Sequence, residues 1–434
     1  MITLAQFIRI ESLLEGASIR LAPNQSPDAP RMQAPSPSLS SPAPDHTVPR
    51  HILPTIALAQ LGGTSLWFAA NAIDADLRRD WALAGSTAGT VTSAVHAGFI
   101  VGTLFYSLLM IADRYSPRKV YLVSSVLAAL SNAAVLLLPA ALLSMTGTRF
   151  GIGFFLAGIY PVGMKIASGW YQKGLGGALG FLVGALVLGT ALPHALRGLG
   201  TAWPWQEVIL VLSALAVGGG LLMWLLVPDG PYLAKGGKVS ARALTLIWHD
   251  RKVRASVFGY FGHMWELYGV LMLIPIIFAH YLQTPSSPQV SWLSFAAIGV
   301  GAIGCAAGGL LAGRWGSGIV AWAQLLVSGI CCLLAPWMLL APWWLFVSWM
   351  MVWGLAVSGD SPQFSALTAR NSPPEVVGGV LTLVNCIGFG ISIVSIQVVS
   401  LALQHYPLAT VLPWLAVGPA IGLVFMWRLA MSGE

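Results

Sequence analysis

Apolar residues run along this chain in long blocks separated by short polar breaks, from residue 52 to residue 430. A helix that crosses the hydrocarbon core of a bilayer needs roughly 20 mostly apolar residues. Twelve such blocks are present, over 52–73, 86–111, 119–139, 142–169, 174–196, 206–227, 253–281, 290–313, 317–336, 342–368, 376–403 and 409–430. The pattern predicts an all-α membrane protein of twelve spans. The longest polar interruption in it, 228–252, is expected to be a cytoplasmic linker loop. It divides the body into an N-terminal six-helix bundle, 50–227, and a C-terminal one, 253–434. Ahead of them, 1–49 is expected to be a disordered tail, because its Pro- and Ser-rich stretch from Ala22 to Pro49 cannot bury enough apolar surface to fold. Leu4, Phe7, Ile8 and Leu14 within it have the spacing of a short surface helix. Glu11 and Glu15 interrupt any signal-peptide core there, and Met32 is an alternative start.

Composition fits no other class. Hydrophobic residues make up 56% of the 434 and charged residues only 9%, against roughly 25% in a soluble domain. The net charge of +7 raises the question of nucleic acid, but the basic residues form no stripe and no such partner is expected. They lie between the apolar blocks and there report topology. Of the 22 Lys and Arg, only Arg78, Arg79, Arg149 and Arg197 fall on one side of the twelve-span plan, and the rest on the other. Both termini are therefore expected to be cytoplasmic, in an inner membrane. The four cysteines have no metal-ligand or disulfide spacing, so no metal is expected.

The two halves repeat. Gly62 and Gly262 are 200 residues apart on spans one and seven. Ala112-Asp113-Arg114 ends span two and Ala312-Gly313-Arg314 ends span eight, again 200 apart. Gly158-Ile159-Tyr160-Pro161 on span four returns as Gly359-Asp360-Ser361-Pro362 on span ten. One such match is cheap in a chain with 48 glycines, but three at offsets of 200, 200 and 201 point to two homologous halves.

With this plan, the chain resembles the major facilitator superfamily over residues 50 to 430. The loop Ala112-Asp113-Arg114-Tyr115-Ser116-Pro117-Arg118-Lys119 is similar to the family's G-x-L-A-D-R-x-G-R-K signature. Leu109 stands in place of its first glycine, and Ser116-Pro117 in place of Gly-Arg. Gly309 to Gly316 keeps both glycines and lacks the Asp. The stretch from Tyr160 to Lys165, with Arg149, resembles the cyanate and nitrate permeases. The family resemblance implies a monomeric secondary transporter working by alternating access, with spans one, four, seven and ten lining the cavity. It also implies a cytoplasmic gate at Asp113, Arg114, Arg118, Lys119 and Arg314, with Asp113 facing the start of span eleven. The alternative is that these residues merely cap and orient a tight loop.

Ionisable residues at bilayer depth cost about 2.5–3.5 kcal/mol or more each, so each needs a reason. His263 and Glu266, three apart on span seven, share a helix face. Asp360 lies beside Pro362, where a broken helix would free backbone groups to line a cavity. Glu266 or Asp360, with His263 as auxiliary, is expected to carry a coupling proton. A structural hydrogen bond or ion pair is the alternative, and His96 and His263 taken singly also suit packing. Lys165 and Arg149 would attract an anion, or else snorkel and anchor. Tyr160, Tyr260 and Trp67 would stack on a solute, or simply pack.

No enzyme is expected. Val239 replaces the Ser or Thr that a P-loop needs after Gly237-Lys238, and no HExxH or GxSxG is present. No cofactor is expected either. The reading is proton-coupled symport by a permease for a small solute, with a small anion among the candidates, in a lipid bilayer. An exporter of drug-like or cationic amphiphiles, or a receptor without flux, are the alternatives.

Overall fold

The computed structural model describes residues 48–82, 87–171, 174–199, 203–233, 241–284, 287–373 and 375–431. The expectations for the tail and for Met32 lie outside the described residues. Ten helices or helix pairs are long and apolar enough to cross a bilayer. Span one, Ile52–Thr64 continued by Ala69–Ala72, and span ten, Trp343–Gly359 continued by Ser361–Asn371, bring the total to twelve. The others are span two (Ala88–Leu108), span three (Pro117–Ala133), span four (Leu142–Leu156 and Tyr160–Trp170), span five (Leu175–Gly198) and span six (Trp205–Leu226). In the second half come span seven (Arg251–Leu282), span eight (Pro288–Gly299 and Gly301–Trp315), span nine (Ser317–Met338), span eleven (Val377–Ala402) and span twelve (Leu408–Val411 to Val417–Met431). In hydrocarbon every backbone polar group must be bonded internally, which is why such sequences settle as helices. Pro117, Pro161, Pro288 and Pro362 sit in first turns, where a missing N–H costs nothing.

One expectation is corrected. The segment read as a loop, 228–252, carries a helix at Ala241–His249 that packs on spans seven and eleven. Nine residues are too few to span, and their amphipathic spacing is masked in sequence by the polar residues around them.

The repeat seen in the sequence is a repeat in space. A Cβ on Gly62 would come 2.6 Å from the Leu215 carbonyl oxygen on span six, and one on Gly262 would come 2.4 Å from that of Gly418 on span twelve. Gly153 lies against the Val95 carbonyl and Gly354 against that of Ala297, each too close for any side chain. Spans four and ten both break at the same place, before Tyr160 and at Asp360. The halves meet along spans two and eleven, and along spans five and eight. In the first seam Gln397 Nε2 donates to Ser93 Oγ at 2.8 Å, and Ser392 Oγ bonds His96 Nδ1 at 3.0 Å. In the second, Gly180 and Gly184 face the carbonyls of Cys305 and Ala302.

Candidate functional site

Span seven presents two faces to the interior. Tyr260, Met264 and Tyr268, spaced by four, form one side of a cavity of about 40 Å³. Tyr160 and Thr190 from the first half and Ser361 and Phe389 from the second complete its wall. That volume holds a few waters at most, so the conformation is closed around its centre.

One turn away on the same helix, His263 and Glu266 are fully buried and face Asp360, also fully buried. His263 Nδ1 lies 2.8 Å from Asp360 Oδ1, at ion-pair distance but without hydrogen-bond alignment. Its other nitrogen, Nε2, is 3.1 Å from Ser361 Oγ. Glu266 Oε2 accepts from Cys332 Sγ at 3.4 Å. Donor atoms of all three residues lie within 4.8 Å of one another. Such a set can share a proton, and the spacing would also suit a small cation. Because Ser361 both bonds His263 and lines the cavity, one hydroxyl separates this cluster from the central space.

An aromatic layer covers the cavity on the side of the Asp74–Asp80 helix. Trp67 stacks on Tyr268 at 5.7 Å and on Phe389 at 5.7 Å. His96 meets Tyr268 edge-on at 4.3 Å. Trp67 and His96 thus take part in closure and do not line the void; Tyr160 and Tyr260 do line it. Tyr268, Phe389 and Ser361 were missed in sequence, although Tyr260, Met264 and Tyr268 have the spacing that marks one helix face.

Two expected placements change. Lys165 does not reach the cavity. Its Nζ pairs with Asp113 and donates to the Ala112 carbonyl at 3.0 Å. Asp113 is thereby tied to span four of its own half. The reason is reach: a lysine stem one turn from the helix end extends to the nearest carboxylate. Ser116 Oγ next to it donates to Asp229 at 2.9 Å, and Arg118 donates to the Trp224 carbonyl at 3.4 Å. Together these contacts brace one end of the first half. Arg114, Lys119 and Arg314 are exposed.

Arg149 is the other departure. It is fully buried on span four, and its Nε, Nη1 and Nη2 find no hydrogen-bond partner among the described residues. An outer-end anchor would reach water, and this side chain does not.

The model of the major facilitator superfamily matches residues 53–396. The chain belongs to that superfamily. Two solved structures share the fold. One is the proton:xylose symporter XylE bound to 6-bromo-6-deoxy-D-glucose, 12% identical with a TM-score of 0.66, over 88% of this chain and 96% of that one. The other is the human organic anion transporter MFSD10, 14% identical with a TM-score of 0.67, over 87% of this chain and 99% of that one. A comparison with curated proteins finds no match. The chain is an integral membrane transporter of that superfamily and not an enzyme.

Proposed function

We propose that this superfamily member couples solute movement to a proton carried by the His263, Glu266 and Asp360 cluster. The observation that carries the reading is the placement of two buried carboxyls and an imidazole one serine away from the central cavity. An ionised carboxylate is costly in a dry interior and a neutral one is not. A carrier that must close around its centre therefore passes through that state most easily with the cluster's charge compensated. In this scheme the proton enters from one side, the closed state carries it past the midplane, and reopening on the other side rehydrates and releases it. Lys165 with Asp113 then acts as the brace of the gate. Both termini face the cytoplasm of an inner membrane, and the working unit is a monomer.

The solute is small and organic. Three tyrosines, Thr190 and Ser361 offer hydroxyls and ring faces, and no cationic side chain lines the cavity among the described residues. That lining suits a neutral or cationic solute through hydrogen bonds and ring contact. A second reading, a small anion of the kind the cyanate and nitrate permeases carry, is favoured by Arg149. Its buried guanidinium would gain a counter-charge if the cavity extended to it on opening.

The test is flux in proteoliposomes under imposed pH gradients, with a panel of neutral, cationic and anionic organic solutes. Glu266→Gln is expected to insert normally and to lose acceleration by the gradient while keeping exchange. Gradient-driven uptake equal to that of the native protein would remove the cluster from the coupling mechanism.

A further inference from the structure

A second cavity, of about 460 Å³, lies far from the centre, between the first turn of span seven and the last turns of span twelve. Four of its lining side chains are cations, Arg251, Lys252, Arg254 and Arg428, and its apolar side is Phe425 and Leu429. Among the described residues no acid lines it. The carboxylate just before Arg251, Asp250, is turned to the backbone, where it caps span seven by accepting from the amides of Lys252 and Val253 at 2.9 Å.

The groove is built as well as charged. Arg254 Nη1 donates to the Trp248 carbonyl at 2.8 Å, which holds the end of the linker helix against span seven. Phe425 stacks on Phe258 at 4.4 Å, and Trp248 meets Phe258 edge-on at 5.7 Å. The groove also opens onto apolar surface. Val424 is 76% exposed, and Trp248 and Trp427 are each more than half exposed. Exposed indoles at the end of an apolar helix surface mark the level of lipid headgroups. A groove at that level therefore faces phosphates above and acyl chains below. Basic pockets between transmembrane helices hold anionic headgroups by this combination.

We propose that this groove binds the headgroup of an anionic phospholipid, with Arg251, Arg254 and Arg428 on its phosphates and the acyl chains lying along Phe425 and Leu429. A diphosphate headgroup such as that of cardiolipin fits best, because three guanidiniums crowd a space that one phosphate would leave under-neutralised. The proposal does not rest on the proton reading, and holds or fails separately from it.

The experiment uses the full chain in nanodiscs of phosphatidylcholine, with and without cardiolipin, followed by native mass spectrometry and thermal unfolding. The native protein is expected to retain one tightly bound cardiolipin and to gain thermal stability. The variant R251Q/R254Q/R428Q is expected to lose binding on the order of a hundredfold, from roughly fivefold for each basic residue. The single R428Q variant, away from the helix start, is expected to lose about fivefold and guards against misfolding of the triple variant. Unchanged cardiolipin retention in both variants would overturn the proposal. So would equal retention of phosphatidylcholine, or inorganic phosphate that binds the detergent-purified protein and displaces cardiolipin, which would make the groove a free-anion site.

Discussion

Replacing Arg149 with methionine should make this protein more stable and a poorer carrier. The guanidinium is fully buried, and none of its three nitrogens has a hydrogen-bond partner among the described residues. Each unsatisfied buried donor costs about 1–3 kcal/mol, and a buried charge left without its partner costs about 3–5 kcal/mol in measured cases. Methionine has a similar length and no polar group, and Met350 occupies the equivalent, equally buried place on span ten. The substitution should therefore return about 3–5 kcal/mol of apparent stability. For a body of this size that is a rise of roughly 4–6 °C in the unfolding midpoint. The assay is thermal unfolding of purified protein in one detergent, alongside uptake of the solutes that the native protein accepts. If the anion reading holds, uptake of anions falls while the midpoint rises. A midpoint that drops would refute the reasoning, since it would mean that the arginine is structurally satisfied.

Further outcomes test other parts of the molecule. Lys165→Gln and Asp113→Asn should each lower stability by about 1–2 kcal/mol, because the pair is only partly exposed. The double variant should lose less than the sum, which a double-mutant cycle on unfolding would show. On the opposite side, burial holds the Asp74 carboxyl above the ordinary carboxylate range, against the opposing effects of Thr87 and Arg78. A raised value in the fold means that ionisation costs stability, which is regained as pH falls through that value. Asp74→Asn should thus match or exceed native stability at pH 7 and converge with it in acid, as thermal unfolding across pH would record.

Much of this architecture could be read from the chain because lipid allows so few backbone solutions. Twelve blocks became twelve spans, and the glycines at an offset of 200 became the same helix contacts in each half. The meeting of His263, Glu266 and Asp360 was legible only in part. The i, i+3 spacing put the first two on one face, but nothing in sequence brings span ten to span seven except the likeness to a family. For Lys165 a cavity role and snorkelling both stayed open, because depth along a helix does not say where a flexible stem turns. Tyr268 and Phe389 were overlooked because aromatic residues in spans are common and their stacking across the seam is a tertiary fact.

The pattern of glycines also separates what is rigid from what can move. Within the halves, a Cβ on Gly153 or Gly354 would sit 1.9 or 1.8 Å from a backbone carbonyl oxygen, and neither helix can yield without the other. Across the seam, Cβ atoms on Gly180 and Gly184 would each stand 3.0 Å from a carbonyl oxygen and one on Gly309 3.2 Å from another, while the tighter seam glycines Gly89 and Gly198 meet side chains, Ser400 and Trp292, and not backbone. The polar contacts of spans two and eleven are neutral, of the kind worth about 0.5–1.5 kcal/mol each. Tight packing inside each half and looser, weakly bonded packing between them is what rigid-body rocking requires. Gly354→Ala should therefore cost about 1–3 kcal/mol of stability or block folding. Gly184→Ala should fold nearly as well as the native protein, since a few tenths of an ångström of give suffices, yet it should change the rate of exchange. Equal destabilisation by the two substitutions, measured by thermal unfolding, would mean that the seam is as rigid as the bundles and that the halves do not move as units.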